Sequence, residues 1–474
     1  MSFHTTSFMV LLCALFAIYW LIARWRLPRL WLLLLASLGF YAVWNPLPLL
    51  LYLLAAIVNG VAGRLIERAG KNQATRKTVM VVAVLIHVAV LVTYKYLQLL
   101  INSVGTVAGW LHLTWQPPQL GLAHPLGLSF LTFQAIGYVV DVYWRKTSGR
   151  RSLLHHLLFL TFFPRVVSGP ILRASDLLEK LDHRPTLTSV EGAQSLFRIT
   201  EGLAKKLLLA DVLGGSFVNP VFSNPTGYSA LECVIAAVGY TLQLYFDFSG
   251  YSDIAIGIAG LFGIRFPENF NKPYHATDLF SFWNRWHLTL STWLRDYLYR
   301  PLGGNQGTKL QTLRNTMIVM SLGGLWHGGD WRFLIWGALH GLFLVLWRIW
   351  WWVVGKPKRG EAGLVRNVVG WLVMFNCVVF ARIFFRADTM TLAIDMFRQL
   401  GTLTTSLARV SALTWGSLAA CIVFYALPRP VFDKSQELFV RSPVLVRAAL
   451  LIGLGLLVRQ FSSIESQPYI YLQY

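Results

Sequence analysis

Residues 79–101 read VMVVAVLIHVAVLVTYKYLQLLI, an apolar run long enough to cross about 30 Å of hydrocarbon as a helix. Its flanks supply an orientation. Arg64, Arg68, Lys71, Arg76 and Lys77 precede it, whereas Asn102–His124 after it holds no charged residue. Short loops rich in Lys and Arg stay on the cytoplasmic side of a membrane, so this run is expected to leave the cytoplasm and end outside. The alternation extends in both directions. Arg24, Arg26 and Arg29 follow an opening run that ends at Ile22, the turn Asn45–Pro48 has no charge, and Arg145, Lys146, Arg150 and Arg151 follow the run Leu126–Val142. Met1–Ile22 lacks the basic start and small-residue cleavage site of a removable signal and reads as a retained first span with its N-terminus outside. Further runs lie at Leu30–Val43, Leu49–Val61, Leu153–Val167, Leu231–Tyr245, Thr316–Leu325, Phe333–Val354, Val368–Phe384, Leu413–Ala426 and Val444–Leu457. The expected number of spans is roughly ten to thirteen. Lys356, Lys358 and Arg359 mark another inside loop, Arg429, Lys434 and Arg441 a further one, which leaves Tyr469–Tyr474 outside.

Composition agrees with this reading. The 474 residues include 42 Lys and Arg against 21 Asp and Glu, a net charge of +21, yet only 13% are charged, where a soluble protein carries about 25%. Hydrophobic residues make up 55%, and the mean hydropathy is +0.53. A set of soluble domains is excluded, and a nucleic-acid binder would gather its positive charge on one surface or tail instead of distributing it among short loops. Cys13, Cys233, Cys377 and Cys421 are scattered through apolar runs without metal-type spacing, and are expected to be inert thiols.

The centre of the chain differs. Arg173–Leu209 is polar and amphipathic, and Ala276–Leu302 mixes Trp283, Trp286 and Trp293 with Arg285, Arg295, Arg300 and Asp296. Read as one helix, the latter puts Trp283 and His287 on one face and Arg285 nearly opposite. Trp and Arg together suit an interfacial or re-entrant element, and polar segments survive at membrane depth only around a protein-lined cavity. Such a cavity is expected within Leu126–Trp350, wrapped by outer spans.

Ionisable groups inside a membrane protein are costly and hence functional candidates. Three stretches carry them: Tyr245-Phe-Asp-Phe-Ser-Gly-Tyr-Ser-Asp253, Phe282-Trp-Asn-Arg-Trp-His287, and Gly323-Gly-Leu-Trp-His-Gly-Gly329 followed by Ala338-Leu-His-Gly341. His327, with glycines on both sides, can take a proton from an attacking hydroxyl near neutral pH and return it to a leaving thiolate. Its alternative is a core histidine bonded to a backbone carbonyl. His287 is either a second polar group facing the acyl or hydroxyl oxygen or an interfacial histidine. His340 reads as a buried structural histidine, Asp247 and Asp253 as partners of buried Arg or backbone amides or, alternatively, as groups that orient an imidazole or bind a cation, and His155 and His156 as solvated neighbours of a basic loop. No P-loop, GxSxG elbow, Cys–His pair or metal-type histidine cluster is present.

Taken in order, these stretches resemble the membrane-bound O-acyltransferases, and within them the bacterial alginate O-acetylation branch. The resemblance runs through Pro125–Gln134, Tyr138–Trp144, Phe163–Pro170, Gly202–Asp211, Tyr240–Asp253, Pro267–Tyr274, Phe282–Asn305 and Gly323–Gly341, and the tail Tyr469–Tyr474 is similar to that branch's aromatic ending. It implies an all-α polytopic membrane protein, a ring of helices around a thin core with a central tunnel, with interfacial or re-entrant helices. One integral membrane domain would span 1–474, with outer spans in 1–124 and 346–474 and the catalytic core in 125–345. The WHG histidine, here His327, would be the essential one and the RWH histidine, here His287, the second; Trp283, Asn284, Arg285 and Trp326 are candidates to line the tunnel. No cofactor or metal would be bound. The donor would be acetyl-CoA or an acyl-carrier thioester, and the partners membrane lipid, a periplasmic SGNH-type acetyltransferase and polysaccharide export machinery, with no nucleic acid. The expectation is an inner-membrane O-acetyltransferase acting on an exported polysaccharide, with His327 as general base and His287 holding or polarising the acyl carbonyl. The rivals are D-alanyl transfer to teichoic acid, a transporter or flippase, and a non-catalytic export scaffold; no second copy of the Asp247–Asp253 or His327 segments, of the kind transporters show, occurs.

Overall fold

The computed structural model describes residues 6–44, 47–122, 125, 127–165, 169–355 and 363–461. Lys356, Lys358, Arg359 and the tail Tyr469–Tyr474 lie outside these residues, as does Val166–Ser168 within the family-like stretch Phe163–Pro170. Every regular element among the described residues is a helix. The chain divides into two compact units, Met1–Thr188 with Ile258–Pro267, and Ser189–Gly257 with Glu268–Tyr474.

In the first unit, α1 (Thr6–Leu21), α2 (Arg26–Trp44) and α3 (Leu47–Arg68) precede α4 (Gln73–Leu91), which continues through a π-helical turn at Val92–Tyr96 into α5 (Leu97–Trp110). Then come α6 (Leu128–Tyr143), α7 (Leu153–Thr161) and α8 (Ala174–Asp182). Cys13 lies exposed on α1. Arg76 is buried and donates to the carbonyls of Ile66 at 3.0 Å, Val142 at 3.2 Å and Tyr143 at 2.7 Å, so it caps the C-terminal ends of α3 and α6, whose last carbonyls have no helical partner. His155 and His156, expected to be solvated, are both buried. His155 meets the Asp182 carboxylate at 2.9 Å, and the His156 ring stands edge-on to Tyr138 at 4.8 Å.

The second unit holds α9 (Ser189–Ala204), α10 (Ala230–Leu261, its last four residues in the first unit), α11 (Leu279–Trp283), α12 (Leu288–Leu294), α13 (Lys309–His327), α14 (Trp331–Val354), α15 (Leu364–Arg386), α16 (Met390–Gly401), α17 (Ala412–Ala426), α18 (Arg429–Arg441) and α19 (Val444–Phe461). Among the described residues, six helices are long and apolar enough to cross a membrane: Arg26–Val43, Leu49–Arg68, Gln73–Trp110, Ala230–Leu261, Trp331–Val354 and Leu364–Arg386. The number becomes seven if α17 and α18, bent by 88° at Pro428, make one span. Other expected runs form shorter or more polar helices: Ser7–Leu21, Leu128–Tyr143 and Val444–Leu457 are apolar but shorter, α7 has only 9 residues, and α13 carries Lys309 and Arg314 in its first half.

The largest departure is α10. The apolar run stops at Tyr245, yet the helix continues through Asp247 and Asp253 to Leu261, 32 residues in all and mostly buried. Backbone contact with α9 permits this: a Cβ on Gly250 would stand 2.7 Å from the Gly202 carbonyl oxygen. That approach brings Lys205 to within 2.7 Å of Asp253, and Lys206 to within 2.5 Å of Asp247 and 2.8 Å of Asp211. Asp253 also takes Arg198 at 3.0 Å. The expected arginine is found only at Asp253, as Arg198; the other ion-pair partners named here are lysines instead of the Arg or backbone amides expected.

α13 and α14 pack through glycines. A Cβ on Gly324 would lie 2.3 Å from the Phe333 carbonyl oxygen and 2.8 Å from the Gly337 Cα, so the two backbones touch where a side chain would separate them. Thr308 and Gln311 close a capping box at the start of α13, and Asp330 caps α14 by accepting the Arg332 N–H at 2.8 Å. The Gly324→Val protein should therefore be destabilised by about 1–3 kcal/mol from overpacking, read as a lowered unfolding midpoint in detergent; an unchanged midpoint would show that the helices separate without cost.

Candidate active site

His327 is the last residue of α13, and its buried ring stands edge-on to Trp326 at 4.9 Å, Trp336 at 5.0 Å and Phe385 at 5.1 Å. Three different helices supply that box. Two rest on the glycine contact between α13 and α14, and the third is the end of α15.

His287 is positioned differently from the expected helix face. The segment Phe282-Trp-Asn-Arg-Trp-His287 is not one helix: α11 ends at Trp283, Asn284–His287 form a turn, and His287 starts α12 with φ +44° and ψ 57°. Trp283 and His287 therefore do not share a helical face. A left-handed conformation at a non-glycine residue costs of order 1–3 kcal/mol and persists only where surroundings impose it. Here the imposing partner is Pro267–Tyr274. The Leu288 N–H donates to the Asn269 carbonyl and the Asn271 N–H to the Arg285 carbonyl, both at 2.9 Å.

The Asn269 side chain completes the arrangement. Its Oδ1 accepts the Thr289 backbone N–H at 3.3 Å and the Thr289 hydroxyl at 2.9 Å, and lies 3.0 Å from His287 Nδ1. A backbone N–H can only donate, so the atom it meets is the amide oxygen; that oxygen can only accept, so Nδ1 carries a hydrogen. In the neutral ring Nε2 is then the acceptor nitrogen. His287 also packs edge-on to Phe248 at 4.7 Å and lies 6.0 Å from Trp326. The Trp326 indole is thus shared by both histidines.

Beside this centre is a cavity of about 540 Å³. Asn269 forms part of its wall with Tyr245, Arg198, Lys205 and Asp253, and Lys272, Arg285 and Arg429 line it as well. Of the four expected tunnel-lining residues, Arg285 is on this wall; Trp283 and Trp326 belong to the aromatic box around the histidines, and Asn284 is exposed in the turn. Sequence reasoning did not single out Asn269, although it stands in the family-like stretch Pro267–Tyr274. It also missed Arg382, buried over the Trp286 ring at 4.4 Å and donating to the Thr241 carbonyl at 3.2 Å.

His287 and His327 are thus both buried inside a multi-helix, largely apolar scaffold and stand on either side of one indole. The model of the membrane-bound O-acyltransferase family matches residues 145–386, and the chain belongs to that family. It is 37% identical over 402 residues to a protein of Pseudomonas aeruginosa named "Probable alginate O-acetylase AlgI", covering 84% of this chain and 74% of that one. The protein of the same name from Azotobacter vinelandii is also 37% identical, over 84% of this chain and 77% of its own. A "Peptidoglycan O-acetyltransferase" of Helicobacter pylori is 34% identical over 78% of this chain and 73% of its own. The protein is a multi-pass membrane O-acyltransferase.

Proposed function

We propose that this protein moves acetyl groups from a thioester, acetyl-CoA or an acetylated acyl carrier, to hydroxyls of an exported polysaccharide, as the names of its relatives suggest. The supporting observation is the pair His327 and His287, joined by one indole, beside the 540 Å³ cavity. His327 acts as the general base: the acceptor hydroxyl loses its proton to the imidazole as its oxygen bonds to the acetyl carbon. The C–S bond then breaks, and the same proton passes to the departing thiolate. His287, with Nδ1 held by Asn269, offers Nε2 as an acceptor and orients the hydroxyl, in place of the carbonyl-polarising role expected from sequence.

The donor enters from the cytoplasm, where the loop cations and the cavity's Lys272, Arg285 and Arg429 favour its phosphates. The protein sits in the inner membrane as one integral domain, its catalytic core in 125–345 and both termini outside, and hands acetyl groups on with an SGNH-type periplasmic acetyltransferase and the polysaccharide export machinery. Mass spectrometry of surface polymer from a deletion strain should show loss of O-acetyl groups, restored by the intact gene. Unchanged acetylation would refute the proposal, and selective loss of alanyl groups would move the acceptor to teichoic acid.

A further inference from the structure

We propose that Trp283, Trp336 and His340 form a subsite for the acyl carbonyl oxygen next to His327, in which the two indole N–H groups donate to that oxygen as the acceptor hydroxyl attacks. The three rings touch one another: Trp283 and Trp336 at 6.0 Å, Trp283 and His340 at 5.2 Å, Trp336 and His340 at 4.8 Å. Trp336 also stands 5.0 Å from His327, so the cluster adjoins the proposed base. His340 is 1% exposed and Trp336 5%. The Nε1 atoms of both tryptophans and both ring nitrogens of His340 are buried without a hydrogen-bonding partner in the protein.

Buried polar groups are normally satisfied, and several orphans in one cluster require an explanation. Packing alone would be served by phenylalanine, which carries no such penalty. An indole N–H can only donate, so the partner that completes the two tryptophans is an acceptor. Both donors are neutral, so they suit an oxygen that is uncharged before reaction, and the buried Arg382 near His340 favours negative charge that develops there later. During acyl transfer such an oxygen is present in the thioester carbonyl, which gains negative charge while the C–O bond forms and sheds it as the C–S bond breaks. Donors aimed at that developing charge are where electrostatic catalysis is strongest. His287 cannot fill this role from Nε2 when neutral, because its hydrogen is committed at Nδ1 to Asn269. His340 packs on both indoles, at 5.2 Å and 4.8 Å, and is the positioning residue that sets their orientation.

This inference rests on the reading of His327 as the base, and the test separates the two. The full-length protein and its Trp336→Phe, Trp283→Phe, His340→Phe and His327→Gln variants would be reconstituted in vesicles. Each would be assayed with acetyl-CoA or an acetylated acyl carrier, whichever the wild type uses, and with the matching dithioester, whose C=S sulfur is a poor acceptor. Trp336→Phe should lower kcat by about 10²-fold with the donor KM little changed, and the oxygen-over-sulfur preference of the wild type should shrink in it. Trp283→Phe, on a different helix, should repeat the pattern if Trp336→Phe folds poorly, and His340→Phe should reduce kcat with partial rescue by His340→Gln. Wild-type kcat in both tryptophan variants, an unaltered oxygen-over-sulfur ratio, or a change confined to the acceptor's KM would overturn the subsite. If His327→Gln is inactive while both tryptophan variants are normal, the subsite falls alone; if His327→Gln is active, the base assignment falls and the subsite with it.

Discussion

Replacing His327 with glutamine is expected to lower acetyl transfer by about 10²–10⁴-fold, the usual contribution of a positioned acid–base group, with the protein still folded and inserted. Glutamine preserves most of the volume and a hydrogen-bonding end inside the Trp326, Trp336 and Phe385 box, but it has no ionisation near neutral pH. Alanine would open a cavity among three large rings, and a loss of stability of about 3–5 kcal/mol, as for other large-to-small core changes, would confuse the result. The measurement therefore pairs the initial rate of acetyl transfer in vesicles with the unfolding midpoint in detergent. A midpoint near that of the wild type with a collapsed rate identifies a chemical role. His155 supplies the control: it is also a buried histidine, but it is spent on Asp182 and on the Ser152 side chain at 2.7 Å, so His155→Gln should leave kcat unchanged. Transfer by His327→Gln at more than a tenth of the wild-type rate would remove His327 from the chemistry.

The positions that sequence reading found and missed differ in a physical way. The placement of His327 at the junction of two packed helices was legible because its signal is local: glycines on both sides, an apolar helix before it, and a second glycine-rich helix after it that packs at Gly324 and Gly337. The membrane character was legible because charge and hydropathy act residue by residue. What escaped depends on partners far along the chain. α10 reads as ending at Tyr245, since Asp247 and Asp253 have no local reason to lie in an apolar helix; it continues because Lys205, Lys206 and Arg198 reach them from another segment. The turn at His287 has no proline or glycine to announce it, and the asparagine that holds it lies eighteen residues earlier. His155 looked wet beside Arg150 and Arg151 because Asp182 comes twenty-seven residues later.

Lys206→Met should be the most destabilising single change outside the site. The Lys206 ammonium is buried with two carboxylates, Asp211 at 2.8 Å and Asp247 at 2.5 Å. Removing the cation leaves both acids inside the protein without it, and breaking a buried pair of this kind costs about 3–5 kcal/mol. Methionine fills the space, so the loss reports charge and not volume. Burial also sets the charge state of Asp211. Burial pushes the Asp211 carboxyl up to about 7, against the pull of Lys206 and with the push of Asp247, so near neutrality Asp211 holds a proton for a large part of the time. Asp211→Asn, which mimics that state, should change stability little at pH 7 or below, whereas Asp247→Asn removes the 2.5 Å partner of Lys206 and should cost more. The pH sign follows from the same shift. The folded state binds a proton that the unfolded state has lost between the ordinary carboxylate value of 3.8 and about 7, so this group's contribution to stability is full below that window and declines as pH rises through it. In Asp211→Asn that decline should vanish from the unfolding midpoint measured across the window. A variant whose midpoint falls as steeply as the wild type's, or a Lys206→Met protein as stable as its parent, would show that the two acids are satisfied by other groups and that the lysine does not hold this part of α10 in place.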